Sequence, residues 1–315
     1  VIEPVLRLIF VLMAAGLLTA ALAAVLIARM LVRPPRMNDG KALYVLGRLT
    51  PRDLDLPFEA VWFDVRDERT RDPLRLSAWH VPASRPTDRT VVLVHGYADA
   101  KVGALAWAPA WHELGFHLLL VDLRAHGDSG GTICSGGFWE RHDLCQVIGE
   151  WTARKPDQTR KVYLFGASLG AAAVAGTAAL LSSASTATAP LAGVVLDSPY
   201  VDFRSACSAH LERIGMPGGW IRHWALRIAG WMANADFGAV RPVDLVQGVG
   251  CPLLVFAPQN DAYVLPNETD AWRSAMADRA VAGDALVPLA GVDHLMGVVS
   301  EPEAYRSTLS RFVNG

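Results

Sequence analysis

Apolar, charge-free positions gather first over residues 8–28, where 21 consecutive residues carry no charge and Thr19 is the one hydroxyl. A helix of that length spans roughly 30 Å at 1.5 Å per residue, the depth of a bilayer's hydrocarbon layer. The pattern predicts a transmembrane anchor rather than a signal sequence or a helix packed on protein. The run leads into Arg29, Arg33, Pro34, Pro35 and Arg36, a basic and proline-stiffened exit with no obvious cleavage pattern. Only Glu3 and Arg7 carry side-chain charge before it, so the charge bias predicts an outside N-terminus and a cytoplasmic remainder. The alternative is a secreted or periplasmic protein, if residues 1–30 are a signal sequence.

Past a linker over residues 29–41, segments 43–46, 60–65 and 74–81 alternate or bunch apolar residues between Pro, Asp and Arg clusters. They predict strands, antiparallel at one sheet edge. Apolar runs at 91–94, 116–121, 162–165, 193–196, 252–256 and 285–289 predict further strands, and stretches 138–153, 169–181 and 302–312 predict helices. Continuous apolar strands alternating with helices predict an α/β fold, a mostly parallel central sheet with helices on both faces. Residues 182–189, rich in Ser, Ala and Thr, predict a flexible surface loop. More than 50 residues separate the strands at 193–196 and 252–256, too many for a simple crossover, which predicts a small helical cap at about 200–245. Within it Trp220, Trp224 and Trp231 fall close to one helical face. They either pack the insertion onto the main domain or line an apolar substrate pocket beneath it. The organisation predicted is an anchor and basic linker over 1–36 and one α/β domain over 37–315.

Composition trims the range of functions. Lys plus Arg number 29 against 31 Asp plus Glu, a formal net charge of −2, so no global field would attract nucleic acid. The four cysteines, Cys134, Cys145, Cys207 and Cys251, include no Cys-x-x-Cys pair, and no His-x-x-x-His or acidic ligand cluster appears. No disulfide framework, metal or cofactor is predicted.

The chemistry is carried by Gly166-Ala167-Ser168-Leu169-Gly170, which follows a buried strand and opens a good helix former. A sharp strand-to-helix turn strains the serine outward, glycines clear the turn of side chains, and the helix N-terminus offers N–H groups to negative charge. In this setting the chain resembles the α/β-hydrolase superfamily from about residue 60 to the C-terminus. Within it, Asp197-Ser198-Pro199 and the cap look most like the membrane-associated BEM46-like serine hydrolases. Asp122-Leu123-Arg124-Ala125-His126-Gly127-Asp128-Ser129 also resembles a family turn, with Ala125 where glycine is usual.

The resemblance implies roles residue by residue. Ser168 matches the nucleophile, and Leu169 and Tyr97 match the residues whose backbone N–H groups form the oxyanion hole. His95 and Gly96 would shape the oxyanion loop, as Gly166 and Gly170 shape the elbow. His294, in Gly291-Val292-Asp293-His294, resembles the terminal catalytic histidine. Asp261, in an Asp-x-x-Val element that lacks the family's glycine, resembles the acid that orients it. Asp197 and Asp293 are the rival acids. The order Ser168, Asp261, His294 is the one this architecture gives its triad. The implied activity is carboxylesterase-like hydrolysis (EC 3.1.1) of a small-molecule or lipid acyl ester through an acyl-enzyme. A peptidase, amidase or thioesterase with the same triad is the alternative, and a non-enzymatic binding protein a remoter one. Serine at the elbow argues against a dehalogenase, and the lack of an early Gly-x-Gly-x-x-Gly against a Rossmann dehydrogenase.

Overall fold

Strands buried on both faces need helices above and below them, and the computed structural model shows that arrangement. It describes residues 2–184, 190–216, 218–264, 268–279 and 281–315. In chain order the elements are α1 (Ile2–Val32), α2 (Asp39–Leu46), β1 (Glu59–Arg66), β2 (Pro73–Val81), β3 (Arg89–Val94), α3 (Ala108–Glu113), β4 (His117–Val121), α4 (Glu140–Arg154), β5 (Lys161–Ala167) and α5 (Leu169–Ser183). There follow β6 (Leu191–Asp197), α6 (Phe203–Arg213), α7 (Gly219–Ala233), α8 (Pro242–Leu245), β7 (Leu253–Pro258), α9 (Glu268–Ala277), β8 (Ala285–Leu289), α10 (Gly297–Ser300) and α11 (Pro302–Asn314).

The eight strands form one sheet in the order β1-β2-β4-β3-β5-β6-β7-β8. β1 with β2 and β2 with β4 are antiparallel, and every later pair is parallel. Period-two alternation splits β3 between two cores. Val92 and Val94 face α4 and α5, with Leu144 and Ile148, while Val91 and Leu93 face α3 and α11, with Trp111 and Leu309. The alanines of α5 let that helix approach the sheet closely, and Ala171 to Ala175 are buried. Chain order reverses where β3 lies between β4 and β5, which leaves a crevice at the strands' C-terminal ends.

Residues 43–46 are helical rather than extended. The Asn38 side chain accepts a hydrogen bond from the Lys41 N–H, and Gly47 ends the turn at φ 66°, so α2 is closed at both ends. Ser182 and Ser183 close α5, and positions 185–189 of the expected surface loop lie outside the described residues.

Helix α1 is long and apolar enough to cross a membrane. Phe10, Leu18 and Leu22 are exposed on it, whereas Ala20, Ala24, Ile27, Ala28, Leu31 and Val32 are buried. This buried row lies along α7, which buries Ala225, Ala229 and Ala233. Small side chains at four-residue spacing let the two backbones approach. The three tryptophans do share one face of α7, but it is the face opposite the alanines. Trp220, Trp224 and Trp231 are all exposed and do not pack the insertion onto the sheet.

The exit from α1 is docked. Pro34 has no N–H to offer the carbonyl of Met30, which accepts instead from the Tyr97 hydroxyl at 2.8 Å. The carbonyl of Val32 accepts from the Cys134 N–H at 2.8 Å. Arg36, expected in a linker, spreads its guanidinium over the carbonyls of Gly127 (2.7 Å), Ser129 (2.6 Å) and Gly131 (2.7 Å), with His126 at 3.3 Å.

Candidate active site

Ser168 sits in the turn between β5 and α5 at φ 53° and ψ −112°, a strained conformation for a residue with a side chain. The flanking glycines are required by space. A Cβ on Gly166 would stand 2.3 Å from the Gly170 carbonyl oxygen, and one on Gly170 2.4 Å from that of Val94. The Ser168 N–H donates to the Asp197 carbonyl at 2.9 Å, tying the turn to β6. Leu169 is the first residue of α5, so its N–H belongs to the donors that a helix N-terminus leaves unpaired.

The loop after β3 brings His95, Gly96 and Tyr97 over this turn. His95 is fully buried, and its Nε2 accepts the Leu123 N–H at 3.1 Å. Its Nδ1 therefore carries the proton and donates to the Gly96 carbonyl at 2.7 Å. Burial pushes this imidazole well below its usual pKa, so His95 is a neutral brace of the loop. Gly96 lies close enough to the elbow that a Cβ there would be 3.6 Å from the Ser168 Cβ.

His294 and Asp261 come from the loops after β8 and β7. His294 Nδ1 meets Asp261 Oδ2 at 2.6 Å, and Asp261 Oδ1 accepts the N–H groups of Tyr263 (2.8 Å) and Val264 (3.1 Å). Both carboxylate oxygens are thus committed, which fixes the acid and, through it, the ring. The two rival acids point elsewhere. Asp293 accepts from Asn260 at 2.8 Å. Asp197 accepts from the Tyr305 hydroxyl (2.6 Å), Trp107 Nε1 (3.1 Å) and the Ser198 hydroxyl (2.8 Å), and burial raises its pKa. Ser198 Oγ in turn accepts the Leu295 N–H at 3.0 Å, linking β6 to the loop that carries His294.

A cavity of about 420 Å³ is lined by Gly96, Tyr97, Ser168, Leu169 and His294 together. Its walls are largely apolar and include Met30 and Leu31 from the end of α1, Pro35 just beyond it, and Phe203, Ala206 and Cys207 from α6. Trp220, Trp224 and Trp231 are not among them, which corrects their expected pocket role. Trp231 borders a separate groove on the outer side of α7. Three lining groups have no local motif in the sequence. His210 stands between the rings of Tyr97 and Tyr263, at 6.0 and 5.9 Å, and burial lowers its pKa. Asp99 is held by the Ala100 N–H, and burial raises its pKa to about 6. The α1 residues reach the cavity only because α1 docks.

A family model described as serine aminopeptidase, S33, matches residues 85–237. The chain is 23% identical over 243 residues to the uncharacterized protein YqkD of Bacillus subtilis (strain 168), covering 76% of this chain and 75% of that one. It is 25% identical over 211 residues to the lysophosphatidylserine lipase ABHD12 of Macaca fascicularis, covering 65% of this chain and 48%, about half, of that relative. Among solved structures, the Pyrococcus furiosus esterase Pf2001 matches with a TM-score of 0.68 at 20% identity, over 90% of this chain and 97% of that one. The α/β hydrolase GrgF from Penicillium sp. sh18 matches with a TM-score of 0.58 at 17% identity, over 82% and 98%. With the sheet order and the strained turn after β5, these matches show that the chain has the α/β-hydrolase fold and resembles hydrolases that carry it.

Proposed function

We propose that this protein is a membrane-anchored serine hydrolase of carboxylic esters, with Ser168 as nucleophile, His294 as general base and Asp261 as orienting acid. The observation that carries the reading is the 2.6 Å His294–Asp261 hydrogen bond on the cavity that Ser168 also lines. As Ser168 Oγ attacks the acyl carbon, His294 Nε2 takes its proton, and Asp261 holds the Nδ1–H and stabilises the imidazolium. The N–H groups of Tyr97 and Leu169 receive the oxyanion. Collapse returns the proton to the leaving alcohol, and water, deprotonated by the same histidine, releases the acid from Ser168. The apolar walls suit an acyl chain. Residues 1–36 serve as anchor and exit, 37–315 as catalytic domain, and about 200–245 as its cap. The arginines after the span favour a cytoplasmic catalytic domain.

Ser168→Ala tests the reading. The variant should keep its circular dichroism spectrum, lose fluorophosphonate labelling and hydrolyse p-nitrophenyl butyrate about 10³-fold or more slowly. Undiminished turnover would sink it.

Amide hydrolysis is a second reading, favoured by the S33 match and by the Asp99 carboxyl on the cavity, which could hold a peptide's amino terminus. Faster turnover of aminoacyl-anilides than of esters would select it.

A further inference from the structure

The helix that would anchor this chain does not stand apart from the insertion. Its buried row from Ala20 to Val32 lies along α7, and the direction of α7 follows from the hydrogen bonds at the helix ends. The Val32 carbonyl accepts from Cys134, and the carbonyls of Ala233 and Asn234 accept from Trp139 Nε1 at 3.1 Å. Both C-termini therefore rest on the segment 134–139, and the helices run the same way. Ala225 precedes Ala233 by eight residues, about 12 Å, as Ala24 precedes Val32. Trp220 and Trp224 accordingly lie level with Thr19 and Ala23, inside the charge-free run of α1. Trp231 lies level with Met30, beyond it.

The tip of the α6–α7 hairpin fits that depth. Ile214, Trp220 and Trp224 are exposed by 44%, 54% and 51%. Such exposure of large apolar groups is costly in water and is relieved where the surface meets a bilayer's acyl chains. Of the charges beside them, Arg227 lies level with Leu26 near the end of the run and can snorkel to the headgroups, and Arg222 is already paired within the protein. Arg227 lies over the Trp224 ring at 5.6 Å, and Arg222 bonds the Ser208 carbonyl and Glu212. The end of α1 is a wall of the Ser168 cavity.

We infer that α1 and the α6–α7 hairpin enter the membrane as one unit, with Trp220 and Trp224 seated in the acyl layer, Trp231 nearer the headgroups, and the cavity fed from the bilayer. The acyl ester then reaches Ser168 from the lipid phase, without crossing water. This substrate route rests on the ester-hydrolase reading; the seating of the tryptophans does not.

Two measurements keep the claims separate. In a Cys145→Ser background, Trp220→Cys and Trp231→Cys are labelled with an NBD fluorophore in phosphatidylcholine–phosphatidylglycerol vesicles, with Ser307→Cys on α11 as the aqueous control. Nitroxide lipids should quench position 220 at greater depth than 231, and iodide should quench only 307 freely. Iodide access at 220 equal to that at 307 overturns the seating, as does protection from iodide without lipid quenching, the result of a protein partner. Next, Trp220→Asp/Trp224→Asp in the full chain should hydrolyse monooleoylglycerol embedded in vesicles at least tenfold more slowly than the parent. Turnover of soluble p-nitrophenyl butyrate should stay within twofold. Equal loss on both substrates, or on neither, overturns the route. A parent inactive on both overturns the route together with the ester reading, and leaves the depth measurement to decide the seating.

Discussion

His294 Nδ1 and Asp261 Oδ2 lie 2.6 Å apart although the residues are 33 positions apart in the chain, and two backbone N–H groups hold the other carboxylate oxygen. The acid is thus fixed before the imidazole meets it. In Asp261→Asn the amide can present either its oxygen or its NH₂ to the ring, so the tautomer is no longer imposed. Turnover of a soluble ester should fall about 10³- to 10⁴-fold with KM little changed, measured against unaltered thermal unfolding. A loss below tenfold would remove Asp261 from the mechanism.

Gly170 tests the geometry of the elbow without touching a reacting atom. A methyl at this position would stand 2.4 and 2.5 Å from the carbonyl oxygens of Val94 and His95, backbone that cannot yield like a side-chain tip. Gly170→Ala should cost about 1–3 kcal/mol or more, seen as a Tm lowered by several degrees.

Arg36 is expected to contribute stability from outside the domain. Its guanidinium serves carbonyls along the turn from His126 to Gly131, and a lysine ammonium cannot fan out over them in the same way. Both Arg36→Ala and Arg36→Lys should lower the Tm by a few degrees, alanine more, in differential scanning fluorimetry on the full chain.

Asp99 gives a pH signature. Burial raises its pKa to about 6 from an ordinary 3.8, so the folded protein holds this proton more tightly than the unfolded chain does. Its contribution to stability is full below pH 4 and is lost as pH rises through 6. Asp99→Asn, which keeps an oxygen for the Ala100 N–H, should flatten that part of the Tm profile between pH 4 and pH 7. A parallel profile in parent and variant would remove Asp99 as the source.

Most strands were legible because a buried strand writes itself as a short apolar run bounded by turn residues. The segment 43–46 misled because four apolar residues look alike in a strand and in a short helix. The caps Asn38 and Gly47 were the deciding signal. The tryptophans of α7 share one face, as their spacing predicts, but periodicity does not say which face turns inward. The alanines opposite decide it, since α1 packs against them. Asp261 and His294 were legible through short family-like elements. His210 had no such element, because its place on the cavity depends on α6 folding back over Tyr97 and Tyr263, a relation among distant segments.

The proline pair that ends α1 reaches further than a helix stop. By leaving the Met30 carbonyl for Tyr97, it makes the exit of the apolar helix a fixed panel of the chamber around Ser168. A cut between residues 36 and 37 would leave a chain lacking one wall of the cavity and baring the alanine row of α7. Replacing residues 1–36 with a different helix would then remodel the chamber, and with it what the cavity can hold.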